Sequence, residues 1–188
     1  MYLSKFSPEK LDVAIKRVPY VSTKDRRKAL QEVRYLRYCG SHPNIVDIHR
    51  AHLVKEELWI VMEYLEGATL MQAVSVHKFS EPQIAYIAKY LLRALVFLHE
   101  NEIAHRDLKS SNVVLTISGS VKLIDLGLCT DVSQGLVTHM VGSVRRLLIE
   151  QNLNSPKGHI AILTLGSLCF ASFSPLSTLA YDCLYICF

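Results

Sequence analysis

The sequence predicts an α+β fold, and three observations predict it. Apolar, β-rich runs at residues 11–18, 44–48 and 57–65 read as strands. Helical periodicity at 22–39 and again at 80–100 reads as two amphipathic helices. Two further β-rich runs, 113–117 and 121–124, flank Ser118-Gly119-Ser120 and read as a hairpin. The chain has 188 residues and a formal net charge of +4, which suits one domain with a sizeable core. The mild basic excess makes no case for a nucleic-acid partner. Lys24, Arg26, Arg27, Lys28, Arg34 and Arg37 cluster on one predicted helix and read as a solvated face. The five cysteines, Cys39, Cys129, Cys169, Cys183 and Cys187, are odd in number, scattered and without a CxxC pair. They fit a reduced chain, expected in the cytoplasm, and support neither a disulfide framework nor a zinc site. Lys5, Glu9 and Lys10 interrupt the first residues, so no signal peptide is read there.

Each element has its own signals. The first strand contains Val13-Ala14-Ile15-Lys16, and taken alone a lysine after three apolar residues is unremarkable. The helix at 22–39 can be capped by Ser22 or Thr23. It places Ala29, Leu30, Val33 and Leu36 at helical spacing and ends at Gly40 and Pro43. Glu32 lies in the same stripe region and by itself reads as an ordinary exposed glutamate. The strand at 57–65 is broken by Glu66-Gly67, and 69–76 reads as a short helix. At 80–100, Ser80 can cap, Pro82 sits in the first turn and Gln83 completes a capping box. Ile84, Ile87, Leu91, Leu92, Leu95 and Leu98 form one broad stripe, read as core. His99 after it reads as structural or solvated.

The chemistry is concentrated in residues 103–112, Ile-Ala-His-Arg-Asp-Leu-Lys-Ser-Ser-Asn. His105-Arg106-Asp107, Lys109 and Asn112 resemble, in order and spacing, the H-R-D-L-x-x-x-N catalytic loop of protein kinases. Phosphoryl transfer needs a carboxylate to orient a hydroxyl and accept its proton, a metal ligand and a positive charge. Asp107, Asn112 and Lys109 are the candidates for these. Thirteen residues after Asn112 comes Asp125-Leu126-Gly127, similar to the D-F-G metal site with Leu in place of Phe. The hairpin between them returns the chain on itself, so it can bring Asn112 and Asp125 to one metal site.

This motif set resembles a serine/threonine protein kinase. The phrases at 57–66, 103–115 and 122–127 are similar to the PAK-like branch of the Sterile-20 group, and the resemblance covers residues 1–143. It implies an incomplete two-lobe fold: a small β-rich N-lobe (1–62) without its first strand and Gly-rich loop, a hinge (63–66) and a partial helical C-lobe (67–143). It also implies a serine/threonine kinase that moves the γ-phosphate of ATP to protein hydroxyls with Mg²⁺, acting on protein substrates or signalling partners. Lys16 is then the ATP lysine and Glu32 its partner. Ala14, Met62, Val114 and the backbone of Glu63 and Leu65 line the adenine site. A buried strand and nothing more remains the other reading of 57–65.

Residues 128–143 resemble an activation segment, in which Thr138 and Ser133 are candidate phosphorylation sites. Without a Gly-rich loop and an A-P-E segment the chain is expected to be weak or inactive. The alternative is a non-catalytic regulatory or partner-binding fragment. Residues 144–188 share no kinase feature, and 160–181 carry no charge. That tail is a borderline membrane candidate against an apolar extension that lowers solubility.

Overall fold

Four antiparallel strands in the order β1-β2-β4-β3 form the first sheet: β1 (Tyr2–Phe6), β2 (Leu11–Pro19), β3 (Ile48–Val54) and β4 (Glu57–Glu63). The structure, a computed structural model, describes residues 2–6 and 11–133. Helix α1 (Thr23–Cys39) follows β2. Ser22 is its cap: the Ser22 hydroxyl accepts the Asp25 N–H at 3.1 Å, and the Asp25 carboxylate accepts the Ser22 N–H at 3.2 Å. Its inner stripe is Ala29, Glu32, Tyr35, Leu36 and Cys39. The sequence placed Leu30 on this stripe, but Leu30 is exposed; Tyr35 and Cys39 hold the inward positions instead.

Residues 44–48 are not the strand expected from their apolar character. The strand is β3, beginning at Ile48, and it lies at the edge of the sheet. Residues 44–46 instead reach across to the hairpin. Leu123 N–H donates to Asn44 O at 2.8 Å, Val46 N–H donates to Leu123 O at 3.0 Å, and Asn44 Nδ2 donates to Val121 O at 2.9 Å.

A second sheet has the order β5-β7-β8: β5 (Gly67–Thr69), β7 (Val113–Thr116) and β8 (Val121–Leu123). The hairpin forms where expected, and Gly119 at its tip has φ of 84°, a conformation that favours glycine. Helix α2 (Leu70–Val76) is capped by Thr69, and helix α3 (Glu81–Glu100) by the box in which Gln83 Oε1 accepts the Ser80 N–H at 2.8 Å. Two short strands, β6 (Ile103–Ala104) and β9 (Thr130–Asp131), pair antiparallel on either side of the loop and hairpin. One hydrophobic cluster runs through all of this, with Leu36, Ile45, Ile60, Leu95, Leu123 and Leu126 fully buried in it. No helix among the described residues is long and apolar enough to cross a membrane. The apolar tail lies outside the described residues.

Candidate active site

Three elements far apart in sequence meet at Lys16. Its Nζ donates to Glu32 Oε1 at 2.6 Å and to Asp125 Oδ1 at 2.9 Å. β2 supplies the lysine, α1 turns Glu32 inward, and the end of the hairpin supplies Asp125. Glu32 is therefore not the exposed glutamate of an isolated helix; it is 5% exposed. Burial lifts the Glu32 carboxyl above its usual range, against the pull of Lys16. Burial also works against the Lys16 ammonium, but Glu32 and Asp125 together overcome it and hold its pKa above normal. For Asp125 burial acts upward, yet Lys16 and the Gly127 N–H outweigh it and leave the carboxyl below its ordinary value. Gly127 packs tightly here: a Cβ on it would stand 3.2 Å from Glu32 Oε2 and from Asp125 Oδ1.

The loop after β6 gathers the second group. Asn112 Nδ2 donates to Asp107 O at 2.9 Å and to Asp107 Oδ2 at 3.1 Å, and Lys109 Nζ donates to the same Oδ2. The Ile124 N–H donates to Asn112 O at 2.8 Å. That bond closes the hairpin and sets Asn112 and Asp125 at its two open ends. Arg106 and Asp125 both have positive φ, 61° and 66°. The left-handed region costs a non-glycine residue free energy, and such strain concentrates at functional sites. Arg106 Nε donates to Leu128 O at 2.9 Å, which ties this loop to the chain beyond Asp125.

His105 lies beneath both groups. The Asp107 N–H donates to its Nδ1 at 3.2 Å. Its Nε2 is buried without a hydrogen bond of normal geometry, though the Ile124 backbone is near enough to favour the imidazolium slightly. Burial dominates and lowers the pKa to about 4, against the pull of Asp107 and Asp125.

Ala14 and Met62 are opposite one another across the β2–β4 ladder, and both are buried. Val114 is buried in β7, opposite Lys122. Leu65 is half-buried just past the strand. Glu63 has a side-chain role the sequence did not signal: its Oε1 accepts the Asp47 N–H at 2.8 Å and pairs with Lys122 Nζ. Lys122 alternates with buried Val121 and Leu123, and that alternation was the available hint that it faces away from the core. The Ser133 N–H donates to Asp131 Oδ1 at 2.8 Å. Thr138 lies outside the described residues.

The donor set suits a hard cation held jointly with phosphate. Asn112 and Asp125 offer one amide and one carboxylate oxygen. Among the described residues no cluster of three or more His, Cys, Asp or Glu gathers as a dedicated cage. Mg²⁺ bound through one or two protein oxygens plus substrate phosphates needs no such cage.

The model of the protein kinase domain matches residues 2–146, and the chain belongs to that family. Its fold is accordingly an incomplete two-lobe kinase fold. Its relatives are serine/threonine kinases. It is 45% identical over 143 residues to the probable serine/threonine-protein kinase mkcC of Dictyostelium discoideum, covering 76% of this chain and 16% of that protein. To the serine/threonine-protein kinase pak-2 of Caenorhabditis elegans it is 43% identical over 122 residues, 65% of this chain and 23% of that protein. To the serine/threonine-protein kinase PAK 1 of Mus musculus it is 40% identical over 134 residues, 70% of this chain and 24% of that protein. The chain thus spans no more than about a quarter of each of these relatives.

Proposed function

We propose that this chain carries the nucleotide- and metal-binding core of a serine/threonine protein kinase that uses ATP and Mg²⁺ in the cytoplasm. The observation that carries the reading is the chain of ion pairs Glu32–Lys16–Asp125, which joins strand, helix and hairpin end beside Asp107 and Asn112. In this reading residues 1–62 are the N-lobe, 63–66 the hinge, 67–143 part of the C-lobe and 144–188 a separate tail.

Lys16 offers its ammonium to the phosphates of ATP, and Glu32 fixes where it points. Ala14, Met62 and Val114 pack on the adenine, with the backbone of Glu63 and Leu65 as its hydrogen-bonding edge. Asp107 orients the serine or threonine hydroxyl of a protein substrate and accepts its proton. The hydroxyl oxygen bonds to the γ-phosphorus as the β–γ bridging oxygen leaves with ADP. Lys109 keeps positive charge against Asp107 and the transferring group. Asn112 and Asp125 would hold Mg²⁺, which when bound neutralises charge developing on the phosphate oxygens. Thr138 is a candidate site of regulatory phosphorylation.

Titration calorimetry tests the binding half of this reading. ATP should bind in a Mg²⁺-dependent manner, and Asp125→Asn should weaken Mg²⁺·ATP about tenfold or more, the scale of one charge-assisted contact. Affinity for ADP without metal should stay the same. An unchanged Mg²⁺·ATP affinity in that variant would remove Asp125 from the site. Turnover is read by radiolabelled phosphate transfer to a basic peptide. Any transfer should fall by at least about a hundredfold in Asp107→Asn, as for loss of a general base. Transfer that survives this substitution rules out Asp107 as the base.

A further inference from the structure

We infer that Gln31 is a positioning residue that locks α1 to the segment following Asp125, so that Glu32 and Asp125 are held in place together. The inference rests on the proposed role of Asp125.

Gln31 directly precedes Glu32 on α1. Its Nε2 donates to the Cys129 carbonyl at 2.7 Å. Among the described residues this is the hydrogen bond that runs directly from α1 to the chain just after Asp125. The geometry there is a clamp with two jaws. The Leu128 carbonyl is taken by Arg106 from the loop side, at 2.9 Å. The next carbonyl, Cys129, is taken by Gln31 from the helix side. Two successive carbonyls of one short stretch are thus held by donors from two different elements, the loop and the helix. Its ends are also fixed: Cys129 N–H donates to Leu126 O at 3.1 Å, and β9 pairs with β6 immediately afterwards.

The side chain is suited to this and to little else. A carbonyl acceptor needs a donor, and the amide of Gln31 supplies one without charge. Tyr35, one turn along and 8% exposed, lies close to the same amide. Glu32 therefore points at Lys16 from a helix whose rotation is set one residue earlier by the backbone that carries Asp125. A rotation of α1 that withdrew Glu32 would break the Gln31–Cys129 bond in the same movement. The ion pairs alone do not provide this, because Lys16 is long and flexible and can follow either carboxylate.

The test uses the whole chain, titrated with ATP plus Mg²⁺ and, separately, with ADP without metal. Gln31→Met keeps the length and removes the donor. It should weaken Mg²⁺·ATP roughly three- to tenfold, the worth of one hydrogen bond, and leave metal-free ADP unchanged. Gln31→Lys retains a donor and should restore most of the loss. In an Asp125→Asn background Gln31→Met should have no further effect, because contacts acting through one group are non-additive. Hydrogen exchange gives a second reading: amides of residues 128–131 should exchange faster in Gln31→Met and not in Gln31→Lys. Equal weakening of both nucleotides, or a full effect persisting without Asp125, would make Gln31 a general stabiliser and overturn the inference. If the unsubstituted chain shows no metal dependence, the role of Asp125 falls and the inference with it. If it shows that dependence and Gln31→Met does not alter it, the inference alone falls.

Discussion

Taking the pH from about 6.5 down to about 4 should cost the folded chain up to about 3 kcal/mol at His105 alone. The imidazole is 4% exposed and stays neutral in the fold down to a pH of about 4, whereas in the unfolded chain it takes a proton near 6.5. Between those values the unfolded state holds one more proton than the folded state. Stability therefore rises with pH across the window and is lost as pH falls through it. Asp125, held below its normal range, adds a loss of the same sign at lower pH, and Glu32, held above it, acts in the opposite sense. The His105 share is isolated by comparison. Urea melts of wild type and His105→Phe at several pH values should differ in slope by about 1.4 kcal/mol per pH unit between 4 and 6.5. Parallel profiles would mean that His105 is protonated in the fold.

Lys16→Met should destabilise the fold by about 3 kcal/mol at neutral pH, quite apart from any effect on nucleotide. Removing one member of a buried ion pair strands the other. Glu32 has little water to fall back on, since its side chain is 7% exposed. Without the ammonium its pKa, already raised, climbs further. A carboxyl with a raised folded pKa carries no penalty below its unfolded value, and stability is then lost as pH rises through the folded one. The deficit of Lys16→Met should therefore grow from acid toward neutral pH. Lys16→Met combined with Glu32→Gln should recover most of it, because a neutral amide costs less to bury than an unpaired carboxylate. Denaturant melts of the three chains decide the matter. A double variant no more stable than Lys16→Met would show that lost packing of the lysine stem, and not the stranded charge, sets the cost.

Much of this arrangement was legible in the residues themselves. Helices α1 and α3 announce themselves through caps and apolar stripes, and the hairpin through β-rich runs around Gly119. Lys16, Glu32, Asp107, Asn112 and Asp125 followed from the resemblance to the kinase motifs, and the structure brings them together in two linked groups. What escaped has physical causes. β3 is an edge strand with most of its side chains in water, so His49, Arg50 and His52 hide its period while the apolar Ile45-Val46 pair mimics a strand. β6 and β9 have two residues each, too short to show any alternation. β1 lies in a stretch whose sequence gave no strand signal, yet it pairs with β2 from Tyr2↔Ile15 to Phe6↔Leu11. Gln31 and the Glu63 carboxylate act on backbone groups that are distant in sequence, and residue identity alone does not reveal such targets.

The attachment of residues 44–46 to the hairpin also bears on how the chain is made. The Asn44–Val121 contact spans 77 residues. At a synthesis rate of about 5–20 residues per second, Asn44 waits roughly 4–15 s for the hairpin strand that accepts its side-chain hydrogen bond. Until then Ile45, fully buried in the finished fold, has no Leu123 to pair with. Closing so long a loop adds entropy cost to a contact that local structure cannot prepay. Residues 44–46 therefore lack the partners that cover them in the finished fold until residues 121–123 have been made.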